Sequence, residues 1–157
     1  MKRENKKYIL LTITIIWGAF ILYMSSRNAV ESMGDSSLIV EFLINTFNLR
    51  IETIDILTTI VRKGAHFSEY FILSLLCLST YKNFNNHRVN YCFVLLVCNL
   101  VALSDEFLQG FIPGRSSEVK DVLIDFSGAL AFLIIYGVMK LITSKKLSLA
   151  NKCTKED

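Results

Sequence analysis

An all-α, polytopic membrane helix bundle is the fold this sequence predicts, with four transmembrane helices and a further helical segment on the outer interface. Three observations predict it. The 157 residues are 52% hydrophobic, with a mean hydropathy of +0.44 and a single proline, which is too apolar for a water-soluble domain of this size. The apolar residues gather into runs of helical length, whereas strands in lipid would need a closed barrel and a two-residue alternation that is missing here. Ionisable residues also stand inside or beside these runs, where an Asp or Lys at mid-span costs ~2.5–3.5 kcal/mol. Their recurrence predicts a site.

The first span is predicted over 8–25, an uncharged run after Lys2, Arg3, Lys6 and Lys7. A lysine-rich start also fits a secretory signal, but the run exceeds the usual 7–15-residue apolar core and lacks a clean small-residue cleavage site, so a retained span is expected. Residues 26–62 form an outer connection. Within it, 36–47 places Leu38, Ile39, Phe42, Leu43 and Phe47 near helical spacing, with Glu41 and Asn45 pointing elsewhere, as in a short interfacial helix or lid. Ile51, Ile54, Leu57 and Val61 continue the pattern into a second span at 66–82. A third span is predicted at 89–107 and a fourth at 121–140, each near the roughly 20 residues that cross ~30 Å of hydrocarbon. Residues 141–157 form a charged tail. The second span reaches this length only by including the polar turn that carries His66 and Glu69.

Basic residues set the orientation. They precede the first span, flank the short loop between the second and third (Lys82, Arg88) and follow the fourth (Lys140, Lys145, Lys146), so both termini are expected in the cytoplasm. The net charge of +3 is small and forms no single stripe, which argues against a nucleic-acid partner. Membrane lipids are the expected surroundings. Cys77, Cys92, Cys98 and Cys153 have no metal-ligand or disulfide spacing and read as core-filling thiols. His87 reads as a solvated residue of the short inner loop.

Counting outward from the basic residues, Glu69 lies thirteen residues from Lys82, Asp105 seventeen from Arg88 and Asp125 fifteen from Lys140, about 20, 25 and 22 Å. Three carboxylates on three helices therefore reach one level in the outer third of the hydrocarbon. Arg62, His66 and Glu69 share one helix face by steps of four and three. Asp105 and Gln109 share another, as do Glu118, Asp121 and Asp125. Between the last two sets, Pro113-Gly114 reads as a tight outer turn that hangs Arg115, a fork suited to carboxylate or phosphate, over the site. Around the site four positive groups (Arg62, Lys63, Arg115, Lys120) face six negative ones (Glu69, Asp105, Glu106, Glu118, Asp121, Asp125). Partial burial of that excess calls for a proton or a cation. Asp125, a turn deeper than Asp121, is the expected place for it.

The run Arg62-Lys63-Gly64-Ala65-His66-Phe67-Ser68-Glu69-Tyr70, then Ser104-Asp105-Glu106-Phe107-Leu108-Gln109, Pro113-Gly114-Arg115, and Asp121-Val122-Leu123-Ile124-Asp125 with Gly128 a turn later, resembles the VanZ-like family of small bacterial membrane proteins. The resemblance covers about residues 60–135. It departs at Phe132, where many members place a second glycine. The resemblance implies a link to resistance against the glycopeptide teicoplanin, which acts at the outer membrane face. It carries Lys63, His66, Glu69, Asp105, Glu106, Gln109, Arg115 and Asp121 over as motif positions, without chemical roles.

Two function classes follow. The first is a binding or accessory protein for a lipid-linked cell-wall intermediate or a glycopeptide, with Lys63, Gln109, Arg115, Asp121 and Asp125 as ligand contacts. The second is an acid/base or metal-assisted enzyme acting on a lipid-linked phosphate or glycan, with Glu69 or an aspartate as base, His66 as acid or metal ligand, and Asp105 and Glu106 beside them. One histidine among several carboxylates can hold a divalent cation, although no metal signature such as H-E-x-x-H is present. The bland competitor is helix-to-helix pairing, Glu69 with Lys63 or Arg115 with Asp105. Transport is disfavoured, because the inner halves of the spans carry no charges and no internal repeat is visible.

Overall fold

A computed structural model describes residues 3–27, 29–47, 54–85, 88–114 and 118–153. Five α-helices account for the described secondary structure: α1 (Arg3–Ser25), α2 (Ala29–Phe47), α3 (Ile54–Phe84), α4 (Tyr91–Gln109) and α5 (Val119–Cys153). Three of them contain stretches long and apolar enough to cross a membrane: Asn5–Ser25, Tyr91–Gln109 and Val119–Lys146. The 31-residue α3 is long enough at ~1.5 Å per residue, but Arg62, Lys63, His66 and Glu69 dilute its apolar character.

α3 is the hub and contacts each of the other four helices. Side-chain pairings give the directions. Tyr8 meets Phe84, so α1 runs antiparallel to α3. Tyr81 meets Phe93, so α4 does the same. Ser74 donates to the Ala129 carbonyl at 3.1 Å and Lys82 to the Tyr136 hydroxyl at 2.7 Å, so α3 and α5 run parallel. At the α3–α5 crossing Gly128 lets the backbones touch: a Cβ built there would lie 2.2 Å from the Phe67 carbonyl oxygen. Small residues at a crossing allow such contact, which in lipid replaces the hydrophobic drive. Phe132, the departure from the family pattern, stacks edge-on against Phe71 at 5.3 Å.

The core comprises Ile21, Tyr70, Leu73, Cys77, Leu78, Val94, Cys98, Ala102, Ala129 and Leu133. Ile15, Ile16, Phe107, Leu123 and Leu141 face outward, each more than 60% exposed, a surface matched to acyl chains and not to water. Asn90 caps α4 by accepting the Phe93 N–H at 3.0 Å, the ordinary role of Asn at a helix start.

Several boundaries differ from the sequence reading. The outer connection 26–62 is mostly helical, because α2 begins at Ala29 and α3 at Ile54. On α2 the inward residue is Val40, 3% exposed, whereas Ile39 and Phe42 are 51% and 68% exposed. This helix is apolar on more than one side, and contact with α3 selects the side. α5 continues into the predicted tail as far as Cys153, through lysines, leucines and an alanine that favour helix. Cys77 and Cys98 are buried free thiols as expected, but Cys92 is exposed. His87, Ile51 and the remainder of the tail fall outside the described residues.

Candidate functional site

The polar site forms where α3, α4 and α5 meet near the C-terminal end of α4. The Phe67–Gly128 contact brings α3 and α5 together one residue from His66 and three from Asp125. There His66 Nδ1 lies 3.5 Å from Asp125 Oδ1 and 3.9 Å from Asp105 Oδ2. Both aspartates are wholly buried, and 12% of the His66 side chain stays exposed, so the histidine is the member of the trio reached from outside.

Gln109 completes the α4 stripe. Its side-chain amide donates to Asp105 Oδ2 at 3.3 Å and to the Ser25 hydroxyl at 3.2 Å, tying the end of α1 to the site. Glu106 is also buried, and its carboxylate accepts the Glu118 N–H at 2.9 Å. This secures the first turn of α5, where a negative group also suits the helix dipole. One turn before His66 and Asp125, Lys63 Nζ lies 3.8 Å from Asp121 Oδ1 across the α3–α5 seam, with 38% and 15% of the two side chains exposed. Gly114, at φ 80°, closes the turn after α4 in a conformation glycine adopts without strain.

The expected stripes therefore converge for His66, Asp105, Gln109 and Asp125, with Lys63 and Asp121 beside them. Lys63 pairs with Asp121, not with the Glu69 that the pairing alternative assigned to it. Glu69 is half-buried, and its backbone carbonyl accepts the Trp17 indole N–H at 3.0 Å. Arg62, Glu118 and Lys120 are exposed. Arg115, and with it the predicted clamp over the mouth, lies outside the described residues.

Three residues were missed. Ser25 and Trp17 belong to α1 and carry no charge, so the charge pattern did not place them at the site; Ser25 stood out only because Ser25-Ser26 is similar to the looser outer loop of the family. Tyr70 could have been found: it stands four residues after His66 on the same face, is wholly buried, and its hydroxyl has no hydrogen-bond partner among the described residues.

The opposite end of the bundle is basic. Lys7 lies over the rings of Tyr8 and Phe84, Lys82 bonds Tyr136, and an apolar cleft of about 300 Å³ opens there between α1, α3 and α4. The site and the basic groups thus occupy opposite ends of the same helices.

The VanZ/LLP1 family model matches residues 10–140, a stretch that includes every site residue named above. The chain belongs to the VanZ/LLP1 family. No curated protein and no solved structure matches it. Its apolar helices and this membership make it a membrane protein, and of the motif positions of the VanZ-like resemblance Lys63, His66, Asp105, Glu106, Gln109 and Asp121 meet at the α3–α4–α5 junction.

Proposed function

We propose that this VanZ-family protein is a four-span protein of the bacterial cell membrane, with both termini cytoplasmic, that binds a polar cell-envelope ligand at its outer face. The ligand is a lipid-linked cell-wall intermediate or a glycopeptide, and the activity is linked to teicoplanin resistance. One observation carries this reading: His66, Asp105 and Asp125, from three helices, converge at the bundle end opposite the lysines. α3 serves as the fourth span. Its helix is long enough, and two of the polar groups that lower its hydropathy, Lys63 and His66, turn toward α4 and α5, so they need not face lipid. The positive-inside rule puts the lysine end in the cytoplasm, and α1 and α4 then run outward while α3 and α5 run inward. The Lys63–Asp121 pair offers a cation and an acceptor to a ligand that combines phosphate or carboxylate with hydroxyls.

The test pairs topology with binding. Single cysteines at positions 6 and 145 should resist a membrane-impermeant maleimide in intact cells, and one at 111 should react. Expression in a susceptible Gram-positive host should raise the inhibitory concentration of teicoplanin, and His66→Ala should abolish the rise. Labelling at 145 from outside, or unchanged susceptibility together with no binding of teicoplanin or a lipid-linked disaccharide to the purified protein, overturns the reading. The unpartnered His66 Nδ1 and Asp125 carboxylate favour a second reading, an acid/base enzyme acting on the same lipid-linked substrate. Turnover of that lipid by the purified protein, lost in Glu69→Gln, would select it.

A further inference from the structure

We infer that His66, Asp105 and Asp125 form a three-ligand site for a divalent transition-metal cation, Zn²⁺ or Mn²⁺, in the outer half of the bundle. Each residue presents a ligand atom, and the three atoms lie within 4.8 Å of one another. The two His66 separations, 3.5 and 3.9 Å, are long for hydrogen bonds, whose heavy atoms sit at ~2.7–3.2 Å. They are close to the edge of a metal's coordination polyhedron: with bonds of ~2.0–2.2 Å, tetrahedral ligands stand about 3.3 Å apart. Contractions of about 0.2 and 0.6 Å bring the two His66 separations to that edge.

A second, independent observation points to a ligand. Asp125 is wholly buried, and neither carboxylate oxygen has a hydrogen-bond partner among the described residues. The same holds for His66 Nδ1 and for Asp105 Oδ1. Buried polar atoms are paired in the great majority of cases, and four without a hydrogen-bond partner on three neighbouring side chains are a costly arrangement for a bundle. A dication satisfies all three residues and neutralises the two carboxylates with His66 neutral.

Donor chemistry narrows the metal. Imidazole suits zinc and other late first-row ions, carboxylates suit manganese and magnesium, and a mixed set favours zinc or manganese over calcium or magnesium. Asp105 Oδ2, the oxygen that faces His66, also accepts from Gln109, the kind of outer contact that holds a ligating carboxylate in place. Three protein ligands leave a coordination position open, as in sites that take a water or a substrate oxygen. Partial exposure of His66 allows access to it.

The test uses the full chain in detergent with its affinity tag removed, stripped with EDTA and titrated with Zn²⁺ alone, and with Co²⁺ as a spectroscopic probe. One equivalent should bind, Co²⁺ should give visible d–d bands, and Asp105→Asn, Asp125→Asn and His66→Ala should each weaken binding by more than the about 10–100-fold typical of outer contacts. His87→Ala should leave binding unchanged. Wild-type protein that binds neither ion overturns the inference, as does binding that survives His66→Ala or that is lost in His87→Ala. If an Asn variant does not fold, the wild-type stoichiometry and the two histidine variants still decide. The site stands apart from the envelope-ligand reading: one equivalent of Zn²⁺ without teicoplanin or lipid binding keeps it and removes that reading, and the converse result does the reverse.

Discussion

Gly128→Ala is the sharpest perturbation available, because its cost follows from one distance. The added Cβ would sit 2.2 Å from the Phe67 carbonyl oxygen, 3.0 Å from its carbonyl carbon and 3.2 Å from its Cα. All three are backbone atoms of a regular helix, so no side chain can rotate away. The oxygen contact is more than ~1 Å inside ordinary van der Waals range, and relief requires α5 to back away from α3 by about that much. Overpacking of this kind costs about 1–3 kcal/mol, or roughly 2–12 °C in Tm for a chain of this size. The same movement carries Asp125 away from His66, stretching 3.5 Å toward about 4.5 Å, farther from the about 3.3 Å edge of a tetrahedral shell. The variant should therefore melt earlier by differential scanning fluorimetry in detergent and lose Zn²⁺ binding together with stability. Gly137→Ala is the control, since its Cβ would meet nothing within 4 Å and Ala favours helix. A Gly128→Ala protein that melts with the wild type and keeps its Zn²⁺ affinity would refute the close crossing and the argument built on it.

Gln109→Leu removes the donor to both Ser25 and Asp105 and should lower stability by about 1–3 kcal/mol, read as a fall in Tm. Asp121→Asn and Lys63→Ala break a partly exposed pair and should change stability by less than about 1 kcal/mol, while weakening teicoplanin binding in a salt-dependent way by microscale thermophoresis. The combined His66→Leu, Asp105→Leu, Asp125→Leu variant should be as stable as the wild type or more so, by up to about 4 kcal/mol, yet bind no Zn²⁺. A large fall in its Tm would instead assign the three residues a structural role.

The convergence of His66, Asp105 and Asp125 was legible because a membrane restricts geometry: spans run roughly along one axis, basic residues fix their inner ends, and ~1.5 Å per residue turns sequence number into depth. Depth does not give rotation with the same force. Glu69 shares the level of the aspartates, and its backbone carbonyl accepts the Trp17 indole N–H, a contact no charge pattern announces. Ser25 was hidden for the same reason. On α2 the helix was legible but its covered side was not, because its sequence is apolar in several directions and only α3 decides that Val40, not Phe42, is covered. The start of α3 was half visible in Ile54, Leu57 and Val61. The helical continuation of α5 through residues 141–153 was not marked by the charge pattern of that stretch, although lysine is a good helix former.

The site also accounts for the weakness of α3 as an apolar segment. A helix that only had to span lipid would carry apolar residues where Lys63, His66 and Glu69 stand, as the corresponding stretch of α1, residues 18–24, does. Instead the helix touching all four others accepts three ionisable groups within seven residues, and its partners meet them with buried Asp105, Glu106 and Asp125. Pairing alone does not call for this: buried charge pairs commonly gain nothing over well-packed apolar residues, and His66 meets its two carboxylates at distances too long for good hydrogen bonds. An arrangement that forgoes its own best contacts is organised around something else, and the unpartnered atoms of Asp105, Asp125 and His66 put that missing group between α3, α4 and α5.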